Sequence, residues 1–257
     1  MSSGTRGPIV HSNRSSQEGY SYRNGMGMVP CAEFDVLHDD FHQFVVATAI
    51  TNGPVANTPW GWQGAIIDSG STVAVNTTAT VGANGVLTFA DATASEGAAI
   101  YGTKSFQLIS GKKMFIECRM YTDDVTDNAI QFGLSALTAV TNPEDVWTTV
   151  ATDLVTFGLG DGDSNPKMLV DASNSGTSFQ VQTVKGMLTS TWHTLAIYFD
   201  GVNLHGFVDG DRALTWGSAA STIPLATALA PFIGHINGNG AGGNVVLIDY
   251  FRIVAER

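Results

Sequence analysis

Nine consecutive residues, Lys113-Met114-Phe115-Ile116-Glu117-Cys118-Arg119-Met120-Tyr121, constrain the fold most. Met114, Ile116, Cys118 and Met120 fall on one side, and Lys113, Glu117 and Arg119 on the other. A period of two is the signature of a strand with one face in a core and one toward water. Cys118 joins the apolar row, where a thiol behaves as a small hydrophobe. Similar short segments are predicted at 43–50, 72–76, 85–90, 98–109, 128–136, 153–159, 167–171, 177–184, 192–199, 203–208, 212–216 and 244–254. Gly, Asn, Asp and Ser separate them. About a dozen strands at such spacing predict an antiparallel sandwich or barrel. In the last segment, Leu247, Phe251 and Ile253 as well as Val246, Ile248 and Val254 are apolar, which predicts a strand covered on both faces.

Composition narrows the class further. The chain has 257 residues, 44% of them hydrophobic, which excludes a chain disordered throughout. No apolar run reaches the ~18 residues of a membrane-spanning helix. Charge is uneven. Residues 1–30 carry Arg6, Arg14 and Arg23 against Glu18 alone, whereas the body is acidic and brings the chain to −11. That balance argues against nucleic acid, whose phosphates need a basic face. The first 34 residues, rich in Ser, Gly, Asn and Arg, show no period of 2 or 3.6 and read as an extended arm. Residues 35–257 read as one sandwich domain, a permitted size for this class.

The opening residues show no apolar signal segment, so synthesis in a reducing cytosol with free thiols at Cys31 and Cys118 is expected. Helix signal is sparse: Asn142-Pro143-Glu144-Asp145-Val146-Trp147 suits one short turn. Asp200-Gly201 and Asp209-Gly210 are hairpin signals, because Gly tolerates the positive φ that tight turns require.

The stretch Trp192-His193-Thr194-Leu195-Ala196-Ile197-Tyr198-Phe199-Asp200-Gly201, with Gly206-Phe207-Val208-Asp209-Gly210 after it, resembles the paired hairpins of concanavalin A-like, laminin-G-like jelly rolls. Pro231-Phe232-Ile233-Gly234 and the closing strand Asn244–Ile253 are similar to the family's last elements. The resemblance covers about residues 60–257. It implies a two-sheet antiparallel jelly-roll sandwich preceded by the arm. The combination of arm and jelly roll also resembles bacteriophage virion proteins, notably head decoration or cement proteins.

Each candidate for chemistry has a plainer competitor. Glycanases of this fold carry a Glu-x-Asp-x-x-Glu strand motif that sets two carboxylates about 5–5.5 Å apart in retaining enzymes. The motif is absent here; Glu117 is followed on its face by Arg119 and Tyr121. Asp161-Gly162-Asp163-Ser164-Asn165 opens like a calcium loop, but Pro166 and Ala172 occupy the positions that want Gly and Glu, so a polar hairpin turn is preferred. His38 and His42 would share a helix face suited to zinc, with a polar turn the preferred alternative. Trp60 and Trp62 can stack on a sugar, anchor an interface, or cover one end of the sandwich.

The resemblance to virion proteins implies a non-enzymatic viral structural protein, made in the host cytoplasm and carried in the virion, and the residues add no cofactor, metal, nucleic acid or membrane to that expectation. It would bind the major capsid protein and further copies of itself, as a trimer or dimer. Arg6, Arg14 and Arg23 would meet acidic patches, and Tyr20, Tyr22, Met26 and Met28 would fill apolar notches. The alternative is a lectin-like carbohydrate-binding module on a phage tail or fibre, with Trp60 and Trp62 as its aromatics. A divergent glycanase comes third.

Overall fold

The computed structural model describes residues 19–20, 29–30, 34–39, 41, 53–54, 61–66, 71–75, 85–91, 97–102, 105–136, 153–160, 162–171, 179–216, 223–225, 227–238 and 243–256. Among these the chain is all β. The strands are β1 (Gly19–Tyr20), β2 (Val29–Pro30), β3 (Phe34–Asp39), β4 (Gly53–Pro54), β5 (Gln63–Ile66), β6 (Thr72–Val75), β7 (Leu87–Ala90), β8 (Gly97–Tyr101) and β9 (Met114–Thr122). There follow β10 (Asn128–Ser135), β11 (Leu154–Leu159), β12 (Lys167–Asp171), β13 (Phe179–Gln182), β14 (Thr191–Phe199), β15 (Leu204–Val208), β16 (Asp211–Trp216), β17 (Ala230–Asn237) and β18 (Val245–Glu256).

Two large antiparallel sheets form the body. One runs β13-β12-β11-β10-β17-β8-β5-β4; the other runs β16-β15-β14-β9-β18-β7-β6, with β3 also paired to β18. β1 and β2 make a separate two-stranded ribbon. The two-sheet expectation from the sequence therefore holds. Six strands escape the sequence pattern: β1, β2, β3, β4, β5 and β17. β17 begins beside Pro231, which reads as a breaker; a proline is tolerated at the start of a strand, where its missing N–H costs least. The 98–109 segment is shorter as a strand, ending at Tyr101, and continues only as isolated bridges at Phe106 and Leu108.

Alternation in β9 works as the sequence implies. Met114, Ile116, Cys118 and Met120 join the core, while Glu117, Arg119 and Tyr121 are half-buried on the other side. The sheets meet through large rings. Phe132 of β10 stands edge-on to Phe251 of β18, 6.4 Å between centroids, and Phe157 of β11 lies 6.3 Å from Phe132. Burying each such ring stabilises by roughly 1.5–3 kcal/mol. β18 is covered on both faces, with Leu247 and Val254 buried on the side away from the core, but the cover is uneven. Val246, Ile248, Phe251, Ile253 and Ala255 belong to the core, whereas Asp249, Tyr250 and Arg252 are half-buried on the reverse side.

One end of the sandwich is closed by polar groups. His235 of β17 and Asp91, just after β7, are both fully buried, with Nδ1 2.8 Å from Oδ2. His235 Nε2 lies 2.6 Å from Asn128 Oδ1. The Asn128 amide donates to Thr122 Oγ1 at 2.7 Å and to Asp123 Oδ1 at 3.2 Å, which turns its carbonyl toward the histidine. His235 and Asn128 come from one sheet, Thr122 and Asp91 from the strands of the other. The Asn128–Thr122 hydrogen bond and the close approach of His235 to Asp91 thus join the two layers.

The two Asp-Gly hairpins form as expected. Asp209 and Gly210 both take positive φ, 54° and 84°, and join β15 to β16 directly. Asp200 accepts N–H groups from Val202 at 2.8 Å and Asn203 at 2.6 Å, and meets His205 Nε2 at 3.0 Å. Burial alone would raise the Asp200 carboxyl, but these hydrogen bonds hold it far below the usual carboxylate range.

Two outcomes follow. Replacing His235 with leucine removes the ring nitrogen that meets Asn128 Oδ1 and leaves that buried oxygen without it; denaturant unfolding should show a loss of about 1–3 kcal/mol. Because the folded-state carboxyl of Asp200 is depressed, its contribution is present above about pH 4 and fades as the pH falls below that. Asp200→Asn should therefore lower stability at neutral pH, and the gap to the parent should close in acid.

Candidate functional site

The outward face of the β9–β14–β18 sheet gathers charged and aromatic side chains in register. β9 lies between the other two strands, with Ala196 and Arg252 opposite Glu117, and Thr194 and Tyr250 opposite Arg119. Along each strand alternate residues share this face. A bulge in β18 between Ile248 and Tyr250 inserts Asp249 and sets its carboxylate against Arg119. Bulges re-aim side chains in just this manner.

Glu117 Oε1 accepts hydrogen bonds from the Tyr250 hydroxyl and from Arg252 Nη2, both at 2.7 Å. Burial, and next the charge of Glu117, push the Tyr250 hydroxyl well above its ordinary range, so it stays protonated and donating. Arg119 is ion-paired with Asp249, and its guanidinium lies 4.8 Å from the Trp192 ring centroid. Tyr121 tilts against Trp192 at 5.7 Å. Arg252 stands 5.7 Å from the Phe115 ring. Two arginines and two carboxylates thus neutralise one another among aromatic rings. A little further along, Tyr198 stacks on His205 at 5.9 Å.

This arrangement fixes donors and acceptors beside ring surface. It does not set Glu117 up as a general acid. That role requires a proton aimed at a leaving group, whereas Glu117 Oε1 is held by a guanidinium and a phenol. Among the described residues, no group of three or more His, Cys, Asp or Glu is placed to hold a metal ion.

The residues singled out in the sequence fare differently. Trp62 is fully buried, edge-on to Phe251 at 5.9 Å and tilted against Phe41 at 6.4 Å. It is a core residue and presents no ring face to a sugar or a partner. Of the arm residues, Tyr20 lies in β1, its backbone paired with Val29. Arg6, Arg14, Tyr22, Arg23, Met26 and Met28 lie outside the described residues, as do Trp60, Cys31, His42 and the 43–50 and 142–147 segments. His38 sits in strand β3 opposite Arg252, and so on neither a helix nor a turn. Asp163 forms an ion pair with Lys167 and accepts from Gln182 at 3.0 Å, the bonding of a polar hairpin turn.

Sequence reasoning passed over Trp192, Tyr121 and Asp249 as a group. A signal for two of them was present: alternation in 113–121 puts Tyr121 on the face of Arg119, and Trp192 alternates with core-facing Leu195 and Ile197 out to the same side. The bulge that delivers Asp249 leaves no trace in the pattern.

No protein-family model and no curated protein matches the sequence. Solved structures do match. The carbohydrate recognition domain of Emp47p aligns over 81% of this chain and 98% of its own, at 13% identity and a TM-score of 0.54. A protein of unknown function from Shewanella oneidensis MR-1 aligns over 87% of each chain, at 11% identity and 0.53. The Crh5 transglycosylase aligns over 85% of this chain and 83% of its own, at 14% identity and 0.52. What they share with this chain is the fold. It is a concanavalin A-like sandwich.

Cys118 lies beneath the charged face, fully buried. Burial, then the charges of Glu117 and Asp249, push its thiol well above the ordinary range. In the native protein Cys118 should resist iodoacetamide at neutral pH and react once denaturant is added. Intact-mass spectrometry with peptide mapping reads the difference.

Proposed function

We propose that this chain is a non-catalytic carbohydrate-binding module whose sugar-contacting surface is the corner formed by Trp192, Tyr121, Arg119 and Asp249. The observation that carries this reading is the half-buried Trp192–Tyr121 pair, 5.7 Å apart, flanked by an ion pair on the same outward face. A sugar has C–H-rich faces that pack on aromatic rings and hydroxyls that need fixed partners. Arg119 supplies N–H donors and Asp249 acceptor oxygens from a rigid strand scaffold.

The shared fold supports the same direction, since one structural neighbour is a carbohydrate recognition domain and another a transglycosylase. The virion reading draws on the sequence resemblance alone, and nothing in the fold or the neighbours points to a capsid. Charge on this face is balanced, Arg119 against Asp249 and Arg252 against Glu117. The surface therefore favours neutral over sulfated or uronic glycans, which would want surplus cations.

The test is a glycan array with the full chain, followed by calorimetry on the best neutral ligand. Trp192→Ala should weaken binding by about tenfold or more, roughly 1.4 kcal/mol, with the melting transition kept as a folding control. Absence of binding to every glycan, or an unchanged affinity in the variant, overturns the proposal.

A further inference from the structure

The segment 183–190, between β13 and β14, is tied down at almost every step. Thr183 N–H donates to Pro166 O at 2.8 Å, Met187 N–H to Ser164 O at 2.8 Å, and Ser190 N–H to Thr122 O at 2.8 Å. Lys185 Nζ reaches Val208 O at 3.1 Å and Asp211 Oδ2 at 2.7 Å. One tie differs in kind. Leu188 N–H donates to a side chain, His193 Nε2, at 2.8 Å. The segment meanwhile displays Val184, 92% exposed, and Leu188, 65% exposed, while Met187 is buried.

The bonds around His193 settle where its proton sits. Nε2 accepts from Leu188, so it carries none. Nδ1 then holds the proton and donates to Asp209 Oδ2 at 2.8 Å. The other Asp209 oxygen takes the Thr194 N–H at 2.9 Å, and Asp209 N–H returns to Thr194 O at 2.7 Å. The carboxylate is therefore fixed and cannot follow the ring. His193 itself is 5% exposed and stands opposite Met120 of β9.

We propose that His193 is a proton-operated latch on the 183–190 segment. A second proton has one place to go, Nε2, which already faces the Leu188 N–H. Two donors cannot share one hydrogen bond, so uptake of the proton gives up the tie to Leu188. Asp209 remains as the counter-charge on Nδ1, and the cation is not stranded. Charged groups near this point are Asp209 from the β15–β16 turn, Lys185 from the segment itself and Asp211 from β16, the last two paired with each other. On the β9 side Met120 and Thr122 carry no charge, and Asp124 in the turn beyond is engaged by Thr126 and Asp127. Imidazole is the side chain that takes up a second proton on acidification, so pH is the variable that tests the latch. The result is a change in how Val184 and Leu188 are presented.

Amide hydrogen exchange by NMR on the full chain tests this. Between about pH 7.5 and about pH 5.5, protection at Leu188 should fall about tenfold after correction for intrinsic rates, while β15 amides keep theirs. His193→Gln can accept from Leu188 and donate to Asp209 without titrating, and should keep Leu188 protected at both values. Nitrogen-15 shifts of the parent imidazole, which need no variant, should show the Nδ1–H tautomer at the higher pH. Equal Leu188 protection at both values, or the Nε2–H tautomer at the higher one, overturns the latch.

Discussion

The pairing of β9 with β18 is the constraint on which the rest depends. Met120 lies opposite Ile248, and Cys118 opposite Phe251, across a sequence separation of roughly half the chain. One side of this pair supplies the rings and aliphatics that meet Phe132 from the facing sheet. Its reverse side carries Glu117, Arg119, Tyr250 and Arg252. A single long-range register thus builds the core and the polar surface together. A slip by one residue would exchange the two faces, placing arginines among phenylalanines.

Much of the architecture is legible in the sequence because a half-buried strand has to alternate. β9 and β14 show this cleanly, and the Asp-Gly turns announce β15 and β16 through the backbone geometry that they require. Where alternation fails, reading fails with it. β17 has little polar contrast and opens beside a proline. Trp62 follows a glycine in a segment without period, so nothing local says that its ring turns inward between Phe41 and Phe251. Trp62 thus takes the covering role that competed with ligand contact, as part of the core, while Trp192 is half-buried on the outward face.

Long-range polar chemistry is the part that no local pattern reveals. Asn128 and His235 are 107 positions apart, yet their side chains touch inside the sandwich. A lone His or Asn in a strand carries no mark of its partner. The same holds for His193, whose neighbours Leu188 and Asp209 come from two different connections. Such groups were best judged by what each nitrogen and oxygen faces, since an imidazole with both positions occupied has a defined proton inventory.

The place of β18 within its sheet has a consequence for biogenesis. It is the last described strand to leave the ribosome, yet it lies inside the layer, flanked by β9, β7 and β3. Until it emerges, those neighbours wait with unfilled backbone edges, a state that invites sticking to other nascent chains. Completion of this sheet therefore waits for β18, whatever the order in which the remaining strands have paired.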